Sequence, residues 1–113
     1  ALGSFSNATG EYATALGEQS LANGTAATAV GMNSRAIGDN AGAFGASSLA
    51  SGADATALGT TSNASGDYAT AIGMNSLANG SAATATGTSS QALGNFAAAM
   101  GWCARSNCWR RRR

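Results

Sequence analysis

The sequence has no histidine, no proline and only two cysteines, and 10% of its 113 residues are charged. Without histidine, Ser-His and Cys-His catalysis and imidazole metal sites are excluded. Without proline, and with no glycine at every third position, a collagen triple helix is excluded too. Large side chains are also scarce: Leu, Ile, Val and Phe together number 13, whereas alanine alone numbers 28. No apolar run approaches the roughly 18 residues that a membrane-spanning helix requires. Chains this poor in bulk are often disordered, but disorder also calls for strong charge, and the formal net charge is only +1. The chain opens without Met and without a signal peptide, so it is expected to be a segment of a longer protein. No enzyme activity, cofactor or metal is expected.

What is present is a repeat. Fifteen of the 16 glycines recur every seventh residue from Gly3 to Gly101, with Gly42 alone out of series, and an alanine stands two residues before each of the fifteen. Four residues before glycine, Ser and Ala alternate, as in Ser6, Ala13, Ser20 and Ala27. The residue just before glycine alternates as well: Leu2, Leu16, Val30, Phe44, Leu58, Ile72 and Met100 occupy one phase, interrupted by Thr86. The unit is therefore 14 residues, an A-T-A-Φ-G-x-x half followed by an S-x-A-x-G-x-x half. Residues 10–31 and 66–87 share 16 of 22 identities, which points to duplication of four whole units.

A seven-residue period suggests a coiled coil, but each interior glycine costs a helix about 1 kcal/mol relative to alanine. Fifteen would cost on the order of 15 kcal/mol, more than the net stability of a typical domain. Calcium-binding nonapeptide rolls need paired glycines and an aspartate in every turn, and these are missing. The period predicts an all-β fold, a parallel β-solenoid over residues 1–101 with two short strands per 14-residue coil. Each strand should hold four or five residues, with glycine at bends that need positive φ or close backbone approach. Side chains alternate along a strand, so the Ala/Ser and Ala positions share one face and must fill a narrow interior. The opposite face of one strand then carries a continuous apolar column of Leu16, Val30, Phe44, Leu58, Ile72 and Met100. So thin a roll buries little area and leaves this column exposed, which predicts association with other copies along it.

Asn33-Ser34-Arg35-Ala36-Ile37-Gly38 resembles the N-S-V-A-I-G head repeat of trimeric autotransporter adhesins, the YadA-like family. Ala-Thr-Ala-Leu-Gly at 13–17 and Ala-Thr-Ala-Ile-Gly at 69–73 are similar to its head repeats too. The resemblance implies a left-handed β-roll, a homotrimer, and a stalk and outer-membrane anchor elsewhere in the full protein. It further implies exposure on the bacterial cell surface and a virulence role in attachment to collagen, fibronectin, laminin, host cells or other bacteria. Asn33, Ser34, Arg35, Ala36, Ile37 and Gly38 are the candidate ligand motif, with Arg35 where the family has valine.

The alternative is a non-adhesive structural solenoid of a biofilm or an ice-binding surface. Thr14, Thr28, Thr56, Thr70 and Thr84 would suit ice, but Gly42 and Ala98 break that ladder. Asn7, Asn23, Asn63 and Asn79 lie in N-x-S/T sequons on the outward polar face, where turn-flanking Asn and Ser are ordinary. Tyr12, Tyr68, Phe5 and Phe96 share one turn slot and are expected to pack against a neighbouring chain. The five acids, Glu11, Glu18, Asp39, Asp54 and Asp67, follow glycines in turns without forming an acid/base or metal constellation. Residues 102–113 leave the repeat: they hold Cys103, Cys108, two Trp and five of the six arginines, so the repeat itself carries one Arg against five acids, −4. Cys103 and Cys108 would suit a local disulfide or half a metal site. This segment is expected to be unstructured, with a truncated or out-of-frame end as its expected origin, and no nucleic-acid partner is expected.

Overall fold

The computed structural model describes residues 1–104. In chain order the strands are β1 (Asn7–Ala8), β2 (Thr14–Leu16), β3 (Leu21–Ala22), β4 (Thr28–Val30), β5 (Arg35–Ala36), β6 (Gly42–Phe44) and β7 (Leu49–Ala50). They continue with β8 (Thr56–Leu58), β9 (Asn63–Ala64), β10 (Thr70–Ile72), β11 (Leu77–Ala78), β12 (Thr84–Thr86), β13 (Gln91–Ala92) and β14 (Ala98–Met100). Odd-numbered strands form one seven-stranded parallel sheet and even-numbered strands the other. Every paired residue meets its counterpart 14 positions on, as in Thr14↔Thr28 and Leu21↔Arg35, so the predicted 14-residue coil is the unit of the β-solenoid. The roll measures 45 × 20 × 11 Å.

The strands are shorter than expected, three residues in the even sheet and two in the odd one. The turns consume the difference. In each half-coil, the residue two after glycine takes a left-handed conformation, with φ between 55° and 63° at fifteen non-glycine positions from Phe5 to Cys103. Such a conformation costs an L-residue roughly 1–2 kcal/mol, and it persists here because the coils above and below fix the backbone. The Gln19 amide, for example, donates to the Ser4 carbonyl one coil earlier (2.8 Å), and the Ser20 amide closes the turn on Gly17 (3.2 Å).

The two predicted uses of glycine are divided between the two half-coils. Gly17, after an even strand, has φ 123°, a region L side chains rarely adopt. Gly24, after an odd strand, has no positive φ; a Cβ there would overlap the carbonyl of Gly38 in the next coil. Backbones stacked this closely also account for the interior, which consists of 18 buried alanines and six buried serines. Each of those serines donates its hydroxyl to the glycine carbonyl three residues earlier, at 2.8 Å for Ser34 to Gly31, so no buried hydroxyl lacks an acceptor. The turn geometry continues past Gly101, where Cys103 has φ 58° and Ala104 accepts from the Gln91 amide at 2.6 Å.

Candidate functional site

With the interior closed to anything larger than serine, chemistry and recognition belong to the outer faces. The even sheet presents two columns. The one nearer the turns that follow even strands runs Leu2, Leu16, Val30, Phe44, Leu58, Ile72, Thr86 and Met100 in continuous register. Leu16, Leu58, Ile72 and Met100 are between 36% and 68% exposed. Met32, Met74 and Trp102 are exposed in the turns directly following this column and widen the apolar edge.

The second column is the threonine ladder, and Gly42 interrupts it for a specific reason. A Cβ at Gly42 would stand 2.7 Å from Cε2 of Phe44, so the Phe44 ring lies over the position a threonine would occupy. The out-of-series glycine and the one aromatic in the apolar column are a matched pair. An aromatic ring in place of a hydroxyl also breaks the flat threonine array that an ice-binding face would present.

On the odd sheet, the six residues of the candidate ligand motif divide between inside and outside. Ser34 and Ala36 are buried in the roll, whereas Asn33 and Arg35 are exposed and Ile37 is half-buried. Arg35 stands in register between Leu21 and Leu49. Of the sequon asparagines, Asn23 and Asn79 accept from the hydroxyls of Thr9 and Ser65 one coil earlier, both at 2.6 Å.

A second period, missed in the sequence reading, emerges on the odd side. In the odd sheet, Asn7, Arg35, Asn63 and Gln91 alternate with Leu21, Leu49 and Leu77. In the turns after odd strands, the dyads Glu11-Tyr12, Asp39-Asn40, Asp67-Tyr68 and Asn95-Phe96 alternate with the smaller pairs Thr25-Ala26, Ala53-Asp54 and Ser81-Ala82. The repeat here is 28 residues, two coils. Its signal lies in the sequence columns, but columns from the strand and the turn must be read as one surface before it stands out. One structural reason for the alternation is visible: Oδ1 of Asp39, Asp67 and Asn95 accepts the backbone amide of Thr25, Ala53 and Ser81, respectively, at 2.9–3.0 Å. Each acceptor braces the smaller coil before it.

Among the described residues there is no group of three His, Cys, Asp or Glu side chains able to hold a metal ion. Among the described residues no helix is long and apolar enough to cross a membrane. Cys103 is exposed in its turn, while Cys108 and the arginines at 105 and 110–113 lie outside the described residues, as does the expected disulfide or half metal site.

The model of the YadA head domain repeat (2 copies) matches residues 1–17, 8–34, 50–76 and 78–102. Among solved structures, the chain is similar to the collagen-binding domain of the Yersinia adhesin YadA. The two share 27% identity over 89% of this chain and 68% of that one, with a TM-score of 0.66. No curated protein matches the chain. The family model thus covers most of the repeat, and the chain belongs to the YadA head domain repeat family of trimeric autotransporter adhesins.

Proposed function

We propose that the chain is the head segment of a bacterial surface adhesin, a left-handed roll that assembles as a homotrimer and attaches cells to host matrix, host cells or one another. The observation that carries this reading is the apolar edge. Leu16, Val30, Phe44, Leu58, Ile72 and Met100 form one column on a roll whose interior is alanine and serine. Burying such a side chain is worth roughly 1.5–3 kcal/mol, so a handful per chain supplies what the thin interior lacks. Three copies and the left-handed sense are what the resemblance to the family implies. Trimeric display multiplies weak contacts, which suits a surface built from Asn, Ser, Thr and Ala repeats. Collagen is a candidate ligand because the similar Yersinia domain is described as collagen-binding. In this chain Asn33, Arg35 and Ile37 are the outward members of the motif that would take part. The full protein would carry the head on the outer surface of the cell, with its anchor in a different segment.

The test is a solution mass measurement followed by capture on immobilised collagen, fibronectin and laminin. A trimer that binds at least one of the three is the expected result. A stable monomer would refute assembly along the apolar edge, and a trimer that binds none would refute attachment to matrix.

A further inference from the structure

The turns after odd strands lie on the opposite edge of the roll from the apolar column, and their side chains are sorted. Four of the five acids, Glu11, Asp39, Asp54 and Asp67, are on this edge, all exposed, and among the described residues no basic side chain accompanies them; Arg35 is on the odd sheet face. Three aromatics share the edge, Tyr12, Tyr68 and Phe96, between 66% and 82% exposed. Each stands in a left-handed conformation, with φ between 60° and 63°, so its backbone is held and its ring projects from the turn tip. Tyr12 and Tyr68 directly follow a carboxylate, and Asp39 and Asp67 are pinned by their Oδ1 bonds to the preceding coil, leaving one carboxylate oxygen free.

We infer that this edge is a docking surface for an extended basic peptide carrying Arg or Lys at every third residue. Two arguments select that partner. The first is charge: carboxylates and aromatic faces, paired at Glu11-Tyr12 and Asp67-Tyr68 and present singly at Asp39 and Phe96, attract a guanidinium or ammonium by direct ion pairing and by the ring quadrupole. An anionic glycan or nucleic acid would be repelled. The second is spacing. The dyads recur every two coils, about 9.6 Å at the usual distance between paired strands. Three residues of polyproline II advance about 9.3 Å, and three of an extended strand about 10 Å. A cation at every third position therefore meets successive dyads; in the intervening turns Ala26 and Ala82 leave room for the backbone, and Asp54 adds a further carboxylate. Side chains already held in place lower the ordering cost of binding. This surface is independent of the apolar edge, so its failure would leave the assembly reading intact.

The experiment uses the full chain and two fluorescent peptides of identical composition, one with arginine at every third residue and one with all its arginines clustered. A chitin-type oligosaccharide represents a neutral polymer that aromatics also stack on. The spaced peptide is expected to bind about tenfold tighter than the clustered one and to weaken as salt rises. Combined Tyr12→Ala and Tyr68→Ala substitutions should cost about tenfold or more. Asp39→Asn with Asp67→Asn should do the same, since Asn95 shows that an amide keeps the brace while the charge is lost. Phe5→Ala, in a turn on the opposite edge, should change nothing. Equal affinity for both peptides, binding of the oligosaccharide alone, or undiminished binding by edge variants that melt like the parent would overturn the assignment.

Discussion

Glycine at every seventh residue conceals two distinct requirements, and substitution should separate them from the tolerant Gly42. Gly24→Ala places a methyl group on the Gly38 carbonyl, a backbone atom that can withdraw only if two coils part. We expect it to remove cooperative thermal unfolding or to lower stability by at least about 3 kcal/mol, the upper range for overpacking a closed interior. Gly42→Ala meets only the Phe44 ring, the free end of a side chain, which can swing outward. Its cost should stay under about 1 kcal/mol, because the ring loses a partial contact while alanine suits the strand better than glycine. Circular dichroism melting of the two variants checks the contrast; equal destabilisation would contradict it. Gly42 and Phe44 also show what residue-by-residue reading leaves out. Gly42 was visible as an exception in its column and Phe44 as a member of the apolar one, but only side-chain placement shows that one makes room for the other.

Strands of two and three residues are far too short to be stable alone, so each exists only because its neighbours sit 14 residues away in exact register. That dependence gives a prediction about length. Deleting residues 46–59, one whole coil, joins Gly45 to Thr60 and keeps every later strand in its sheet. Such a protein should melt within a few degrees of the parent, as stacked coils interact mainly with their nearest neighbours. Deleting residues 53–59, a half-coil, joins Gly52 to Thr60 and sends every later half-coil to the opposite sheet. Ile72 and Met100 would then leave the face that holds Leu16, Val30 and Phe44, and positive-φ glycines would meet the close-approach series. Loss of a cooperative transition is expected, and an unchanged melt for the half-coil deletion would mean that the two sheets are interchangeable. The 14-residue coil was fully legible in the sequence because it is written in identities, Ala, Ser and Gly. Strand length was not, since the left-handed turn residues range from Ala and Ser to Phe and Tyr and carry no compositional mark.

For the whole molecule, the thin cross-section decides the energetics. A roll 11 Å thick has no layer beyond its two sheets, and its buried side chains are the smallest available, so in the proposed trimer burial of the outer apolar column would come from the other copies. Leu58→Asp combined with Ile72→Asp puts two charges in the middle of that column. The pair should convert the assembly to monomers and lower the melting temperature by several degrees or more, read by light scattering and calorimetry on one sample. A Thr56→Asp control in the neighbouring threonine column, outside the apolar column, should be milder. An assembly that withstands the double charge would have to be held by a different face.

Residue types and their period were sufficient to establish a parallel roll of 14-residue coils with a small-residue interior, because a backbone packed this tightly accepts only Gly, Ala and Ser at fixed positions and so prints its geometry on the composition. The outer surface is under no such restriction. Which turn tips are left-handed, how Phe44 covers Gly42, and how carboxylates and aromatics on successive turns line up at two-coil intervals depend on which residues 14 and 28 positions apart become neighbours, and stacking in three dimensions sets that.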